Sequence, residues 1–76
     1  MKDIEQLKKQ LEKELPQDVY TDLLTCAEWD TEKKNGFVQW VCEAIAYNSS
    51  QGDTKTLDNV TAMYTLYLKL TTGAGK

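Results

Sequence analysis

The chain has 76 residues, enough for one small domain with a single hydrophobic core. Nine lysines and twelve acidic residues, with no arginine and no histidine, give a net charge of -3 that is spread along the sequence. Nucleic-acid binders normally carry a concentrated basic face with bidentate arginine contacts, so we expect no nucleic-acid partner. Without histidine there is no imidazole base and no ordinary zinc site, so we expect no enzyme, no cofactor and no metal.

The N-terminal segment is charged throughout and lacks the continuous apolar region of a signal peptide. No segment approaches the roughly 18 apolar residues that a membrane-spanning helix needs. The sequence therefore predicts a soluble, cytoplasmic protein with no membrane association. In that compartment Cys26 and Cys42 are expected to be reduced and buried as small apolar residues.

The first predicted helix covers residues 3–14. Its apolar residues Ile4, Leu7 and Leu11 recur at steps of three or four, and charged or amide side chains fill the positions between them. Such a narrow stripe is typical of a helix on the outside of a bundle. Pro16 ends this helix, because the residue before a proline avoids the helical backbone conformation.

The second predicted helix covers residues 17–29 and would place Trp29 on its polar side. A polar joint follows, and the third predicted helix covers residues 36–48 with Asn35 as its N-cap. The joint contains acidic residues, and a calcium loop that began at Asp30 would need glycine at its sixth position and glutamate at its twelfth. Here the glycine is at the seventh position and the twelfth is apolar. We therefore expect no metal there.

The fourth predicted helix covers residues 55–71, with Asp53 or Thr54 near its cap. Part of this segment alternates as an edge strand would, with Tyr64, Leu66, Leu68 and Leu70 on one side. The helical pattern is longer than the alternating one, so we predict a helix, and an α+β fold with a C-terminal strand is the alternative. The residues from about 72 onward are predicted to form a flexible tail.

Together these elements predict an all-α, compact four-helix bundle with residues 1–76 as one domain. The apolar arcs of the third and fourth helices span about 220° and about 200° at 100° per residue. An ordinary surface helix needs a stripe of somewhat over about 100°. Either the first two helices wrap both arcs, or an apolar edge stays exposed.

An exposed edge predicts a small non-enzymatic protein-interaction module that binds a partner protein as an inhibitor or adaptor. Small chains of this kind include phage-type inhibitors and immunity-type proteins, a class reached by elimination. Because Trp and Tyr are enriched in binding hot spots, the predicted partner-binding residues are Trp29, Trp40, Tyr47 and Tyr67. The alternative is a self-associating structural homodimer without a separate target.

Overall fold

The computed structural model describes residues 3–72, and within them the chain forms four α-helices and no strand. The elements are α1 (Ile4–Glu14), α2 (Gln17–Leu24), a 3-10 turn (Cys26–Glu28), α3 (Thr31–Gln51) and α4 (Thr54–Thr72). The predicted all-α four-helix bundle is confirmed, and the alternative C-terminal strand is wrong because residues 64–70 lie within α4. From residue 73 onward, the predicted tail lies outside the described residues.

The central element is α4, which packs against α1, α2, the 3-10 turn and α3. The wide apolar arc of α4 is buried by several neighbours, each of which covers a different part of the helix circumference. In contrast, α1 buries only Leu7 and Leu11, as its narrow stripe predicts. The core consists of Leu7, Leu11, Tyr20, Leu23, Cys26, Ala62, Met63, Leu66 and Tyr67.

Local signals determine both ends of α1. Asp3 and Gln6 form a capping box, in which the Gln6 backbone N–H donates to Asp3 Oδ1 at 2.9 Å and the Asp3 N–H donates to Gln6 Oε1 at 3.0 Å. The helix stops before Pro16, as predicted. Gln10 Nε2 donates to Asp58 Oδ2 at 2.8 Å, which ties the exposed side of α1 to α4.

The second helix is shorter than predicted, because α2 ends at Leu24 and not at residue 29. The Thr25 hydroxyl donates to the Asp22 carbonyl at 2.8 Å, and the Thr25 backbone N–H donates to the same oxygen at 3.1 Å. A threonine side chain that competes for backbone groups favours the end of a helix. Trp29 therefore follows the 3-10 turn in an extended conformation, and its predicted place on the polar side of helix two is wrong.

The third helix begins earlier than predicted, at Thr31 rather than residue 36. Asp30 is its N-cap and accepts a hydrogen bond from the Lys33 backbone N–H at 2.8 Å. The predicted cap, Asn35, is wrong because it lies inside the helix. Asp and Asn are equally good N-caps, and capping at Asp30 gives the longer helix.

A tight glycine turn joins α3 to α4. Gly52 adopts the left-handed conformation with φ 71, and the Asp53 backbone N–H donates to the Asn48 carbonyl at 3.1 Å. Of the two residues predicted near this cap, it is Asp53 that caps the next helix, accepting from the Thr56 N–H at 3.1 Å and from the Thr56 hydroxyl at 2.7 Å. These hydrogen bonds hold the pKa of the Asp53 carboxyl below its usual value. The result is an antiparallel hairpin of two long helices.

The two cysteines differ in exposure. Cys26 is fully buried in the core, and burial raises the pKa of its thiol. Cys42 is exposed on α3, so the prediction that both are buried is wrong for Cys42. Val41 is the one buried residue of α3, and Cys42 is turned about 100° from it around the helix. Both thiols are free.

Replacing Gly36 with alanine is expected to raise the free energy of unfolding by about 0.5–1 kcal/mol, because glycine inside a helix is entropically unfavourable. Gly36 lies within α3, its φ is not positive, and an added Cβ would meet no atom within 4 Å. Urea denaturation measures the change. The matched control is Gly52→Ala, which must destabilise because Gly52 has φ 71. A loss of stability in Gly36→Ala would contradict the prediction.

Candidate binding groove

Five aromatic rings, here called the aromatic cluster, connect the segment after the 3-10 turn with α3 and α4. Its members are Trp29, Phe37, Trp40, Tyr64 and Tyr67. Phe37 is central, with ring centroids 4.9 Å from Tyr67, 5.6 Å from Trp29 and 6.1 Å from Trp40. These separations are within the favourable range for aromatic pairs, each worth about 0.5–1.5 kcal/mol beyond burial. The cluster therefore anchors one end of α3 to the core.

Local structure brings the two tryptophans to this cluster. The Trp29 backbone N–H donates to the Cys26 carbonyl at 3.2 Å, which closes the 3-10 turn and directs the following segment along the core. Phe37 and Trp40 are separated by three residues on α3, so they lie on the same side one turn apart. Phe37 is half-buried against the core, whereas Trp40 is 46% exposed. The cluster thus extends from the core to the surface.

An apolar groove of about 200 Å³ lies between α2 and α3, with the aromatic cluster along one side. Val19 and Trp40 form its exposed edges, and the buried side chains Leu23 and Met63 lie beneath them. The groove is lined by Val19, Asp22, Leu23, Trp29, Phe37, Trp40 and Met63. Pockets for drug-sized ligands usually begin at about 300 Å³, whereas a cavity of about 150 Å³ holds benzene. Its size therefore suits one large side chain better than a whole small molecule.

An ion pair spans the edge of the groove. Lys33 Nζ lies 3.0 Å from Asp22 Oδ1 and 4.8 Å from the centroid of the Trp29 ring. The ion pair joins α2 to α3, and the cation–π contact adds a second attraction for the lysine. Because both charged side chains are about half exposed, solvent screens the pair, and its contribution to stability is at most about 1 kcal/mol.

The indole N–H of Trp29 is a second polar feature beside the groove. Its Nε1 is buried and has no acceptor among residues 3–72. A buried donor without a partner costs about 1–3 kcal/mol. Such groups are few in native proteins, and each one calls for an explanation such as a functional role. The packing of the Trp29 ring must therefore outweigh the unfavourable free energy of its unpaired N–H donor.

The structure brings two of the four predicted site residues together, since Trp29 and Trp40 both line the groove. Tyr67 is only 7% exposed and lies beneath them, with its ring centroid 6.2 Å from that of Trp29. Burial also raises the pKa of the Tyr67 hydroxyl. Tyr47 is 65% exposed and does not line the groove. It lies two helical turns beyond Trp40 on the same side of α3, about 10 Å away along the axis.

Sequence reasoning missed Val19 and Phe37 as groove residues. Val19 lies within the predicted second helix but was not among the predicted partner-binding residues, and it is exposed at the edge of the groove. Phe37 lies within the predicted third helix but was not among the predicted partner-binding residues either. The spacing of Phe37 and Trp40 was a usable signal, because aromatic residues three apart on a helix form a continuous surface. Nothing in the sequence indicated that α2 would lie opposite that surface.

The groove has no metal-binding character, because Asp22 is its single carboxylate. Across the described part of the chain, no three Cys, Asp or Glu residues are grouped so that they could hold a metal ion. None of the helices in residues 3–72 is long and apolar enough to cross a membrane. Comparison of the chain with models of known protein families, with curated proteins and with solved structures finds no match.

Proposed function

We propose that this chain is a small, non-enzymatic protein-interaction module that binds a partner protein in the cytoplasm and acts as an inhibitor or adaptor. The observation that carries the proposal is Trp40, a large aromatic residue 46% exposed at the edge of an apolar groove. Tryptophan is among the residues most enriched in binding hot spots. Covering the rest of this ring with a partner would remove further apolar surface from water, which is favourable.

The packing of the rings around Trp40 supports this role. Phe37 contacts the Trp40 ring on one side and the buried Tyr67 ring on the other. The base of the groove is therefore part of the folded core and is formed before a partner arrives. Binding costs less conformational entropy when the contact surface is already ordered.

Tyr47 extends the proposed surface along α3. It is on the same side of the helix as Trp40 and is mostly exposed. Tyrosine adds a large contact area and a hydroxyl that can form a hydrogen bond with the partner. A partner that covers α3 from Trp40 to Tyr47 would have its own surface masked, which is how an inhibitor acts. An adaptor would use the same contact to hold the partner beside a second protein.

The test is capture of partner proteins from cells by the tagged wild-type chain and by the Trp40→Ala variant. Loss of a hot-spot residue of about 2 kcal/mol corresponds to roughly 30-fold weaker binding, so capture should fall strongly. The matched control is Ile45→Ala, an exposed apolar residue on α3 that lies roughly 140° around the helix from Trp40. Unfolding curves establish that both variants remain folded. Equal capture by the two folded variants would refute the proposal.

Self-association is the competing outcome, and sedimentation at several concentrations measures it. The interaction module is expected to remain a monomer when purified alone. A dimer of the wild-type chain that becomes a monomer on Trp40→Ala would mean that the groove completes a homodimer. The structural homodimer would then replace the partner-binding module.

A further inference from the structure

Resting on the proposed function, we infer that the partner is a protein that presents a basic segment, in which one large apolar side chain is flanked by lysine or arginine. The apolar side chain would enter the groove between α2 and α3. The flanking cations would meet carboxylates at its edges. Three features of the chain lead to this chemistry: its charge distribution, the positions of the acids around the groove, and the size of the groove.

The charge distribution becomes uneven once the chain is divided by structure. Residues 16–51, which form α2, the 3-10 turn and α3, contain six acidic residues and two lysines, a net charge of -4. The remaining residues contain six acidic residues and seven lysines, a net charge of +1. The half of the molecule that bears the groove therefore carries all of the net negative charge. A positively charged partner is attracted to this half during encounter.

Acidic side chains flank the groove on both helices. On α2, Asp18 precedes the edge residue Val19 and lies one turn before Asp22. On α3, Glu43 is one turn beyond Trp40 and one turn before Tyr47. Within residues 3–72, neither Asp18 nor Glu43 forms an ion pair. Each of the two helices that border the groove thus carries one carboxylate that is available to a partner.

The third carboxylate, Asp22, is engaged by Lys33 within the molecule. Both side chains of this pair are about half exposed, so the pair is weak. A cation from the partner can therefore join Lys33 on the Asp22 carboxylate, or replace it, with little loss. Lys33 shows that an ammonium group fits at this edge, because its Nζ lies 4.8 Å from the centroid of the Trp29 ring.

The size and lining of the groove limit which side chain of the partner's segment can enter it. Its volume of about 200 Å³ and its almost wholly apolar lining suit one large aliphatic or aromatic side chain. A second copy of this chain fits less well, because a two-fold contact would place the same acidic face against itself. Nucleic acid is disfavoured as well, because it is negatively charged and so is this face of the molecule. A basic segment with a single apolar anchor satisfies both the apolar lining and the acidic edges.

The test uses a displayed library of short random peptides selected on the immobilised full chain, with peptides that also bind the Trp40→Ala variant removed. The expected sequences share one large apolar residue flanked by lysine or arginine. Replacing that residue with alanine in a selected peptide should abolish binding. Neutralising either free carboxylate, by Asp18→Asn or Glu43→Gln, should weaken the selected peptides about two- to fivefold, as expected for exposed charge pairs.

The matched control is Glu12→Gln, which makes the same charge change on the exposed side of α1 and should leave peptide affinity unchanged. Selected peptides that depend on Trp40 but are neutral or acidic would overturn this inference and leave the interaction module standing. Equal weakening by all three neutralised variants would also overturn it. If no peptide depends on Trp40, and the folded Trp40→Ala and Ile45→Ala variants capture protein equally, the proposed function fails as well.

Discussion

Replacing Leu66 with alanine is expected to lower the free energy of unfolding by about 3 kcal/mol, within the range of about 2–5 kcal/mol for a buried leucine. Leu66 is 0% exposed and belongs to the central helix α4, which packs against every other element. The loss combines the burial of its methyl groups with the cavity left among its neighbours. A domain of this length has a total stability on the order of 4 to 11 kcal/mol, so the variant would be close to unfolding.

Urea or thermal denaturation followed by far-ultraviolet circular dichroism measures this change. The matched control is Leu68→Ala, two residues along the same helix, where the side chain is 37% exposed. That variant should lose less than about 1 kcal/mol, since its side chain is already partly in water. Equal destabilisation at both positions would mean that α4 is not packed as described, and the assignment of the core would be wrong.

Replacing Tyr67 with alanine is expected to cost about 3–5 kcal/mol, the range for a buried aromatic side chain. Its ring packs against Phe37, Trp29 and Tyr64, with centroid distances of 4.9, 6.2 and 6.1 Å. Removing it would leave a cavity under the groove and free the rings that form the groove wall. Weaker partner binding by this variant would then reflect unfolding of the site, because Tyr67 lies beneath the surface.

Near-ultraviolet circular dichroism, which reports fixed aromatic packing, and denaturant unfolding together measure the effect. The matched control is Tyr47→Ala, which removes the same side chain from a position that is 65% exposed. Surface substitutions usually change stability by no more than about 0.5 kcal/mol, so Tyr47→Ala should unfold like the wild type. If Tyr67→Ala is as stable as Tyr47→Ala, the packing of the aromatic cluster described above is wrong.

The helices themselves could be predicted because their signals are local. Periodic apolar spacing, the stop at Pro16 and the cap at Asp53 each act within a few residues, and each is confirmed. The joint between the second and third helices was the exception. Asp30 and Asn35 are both acceptable N-cap residue types, and the helix begins after Asp30, which places Gly36 in its interior at a modest cost.

The candidate site was predicted by residue type and not by position. Trp29 and Trp40 were chosen because tryptophan is enriched in binding hot spots, and the structure brings both to one groove. Tyr47 and Tyr67 were chosen on the same basis, yet one is exposed and the other is in the core. Both lie on wide apolar arcs, and an arc alone does not say which of its edges a neighbouring helix covers.

The sequence by itself determined the four helices and their order, since these depend on residue identity and short-range spacing. It also determined that no imidazole or guanidinium side chain takes part in the chemistry of this chain. Only the tertiary structure decided that α4 is central, that Tyr67 is buried, and that α2 and α3 leave a groove between them. The physical reason is that burial depends on how helices dock. Several arrangements of the same amphipathic helices hide similar apolar areas, and small differences in packing select among them.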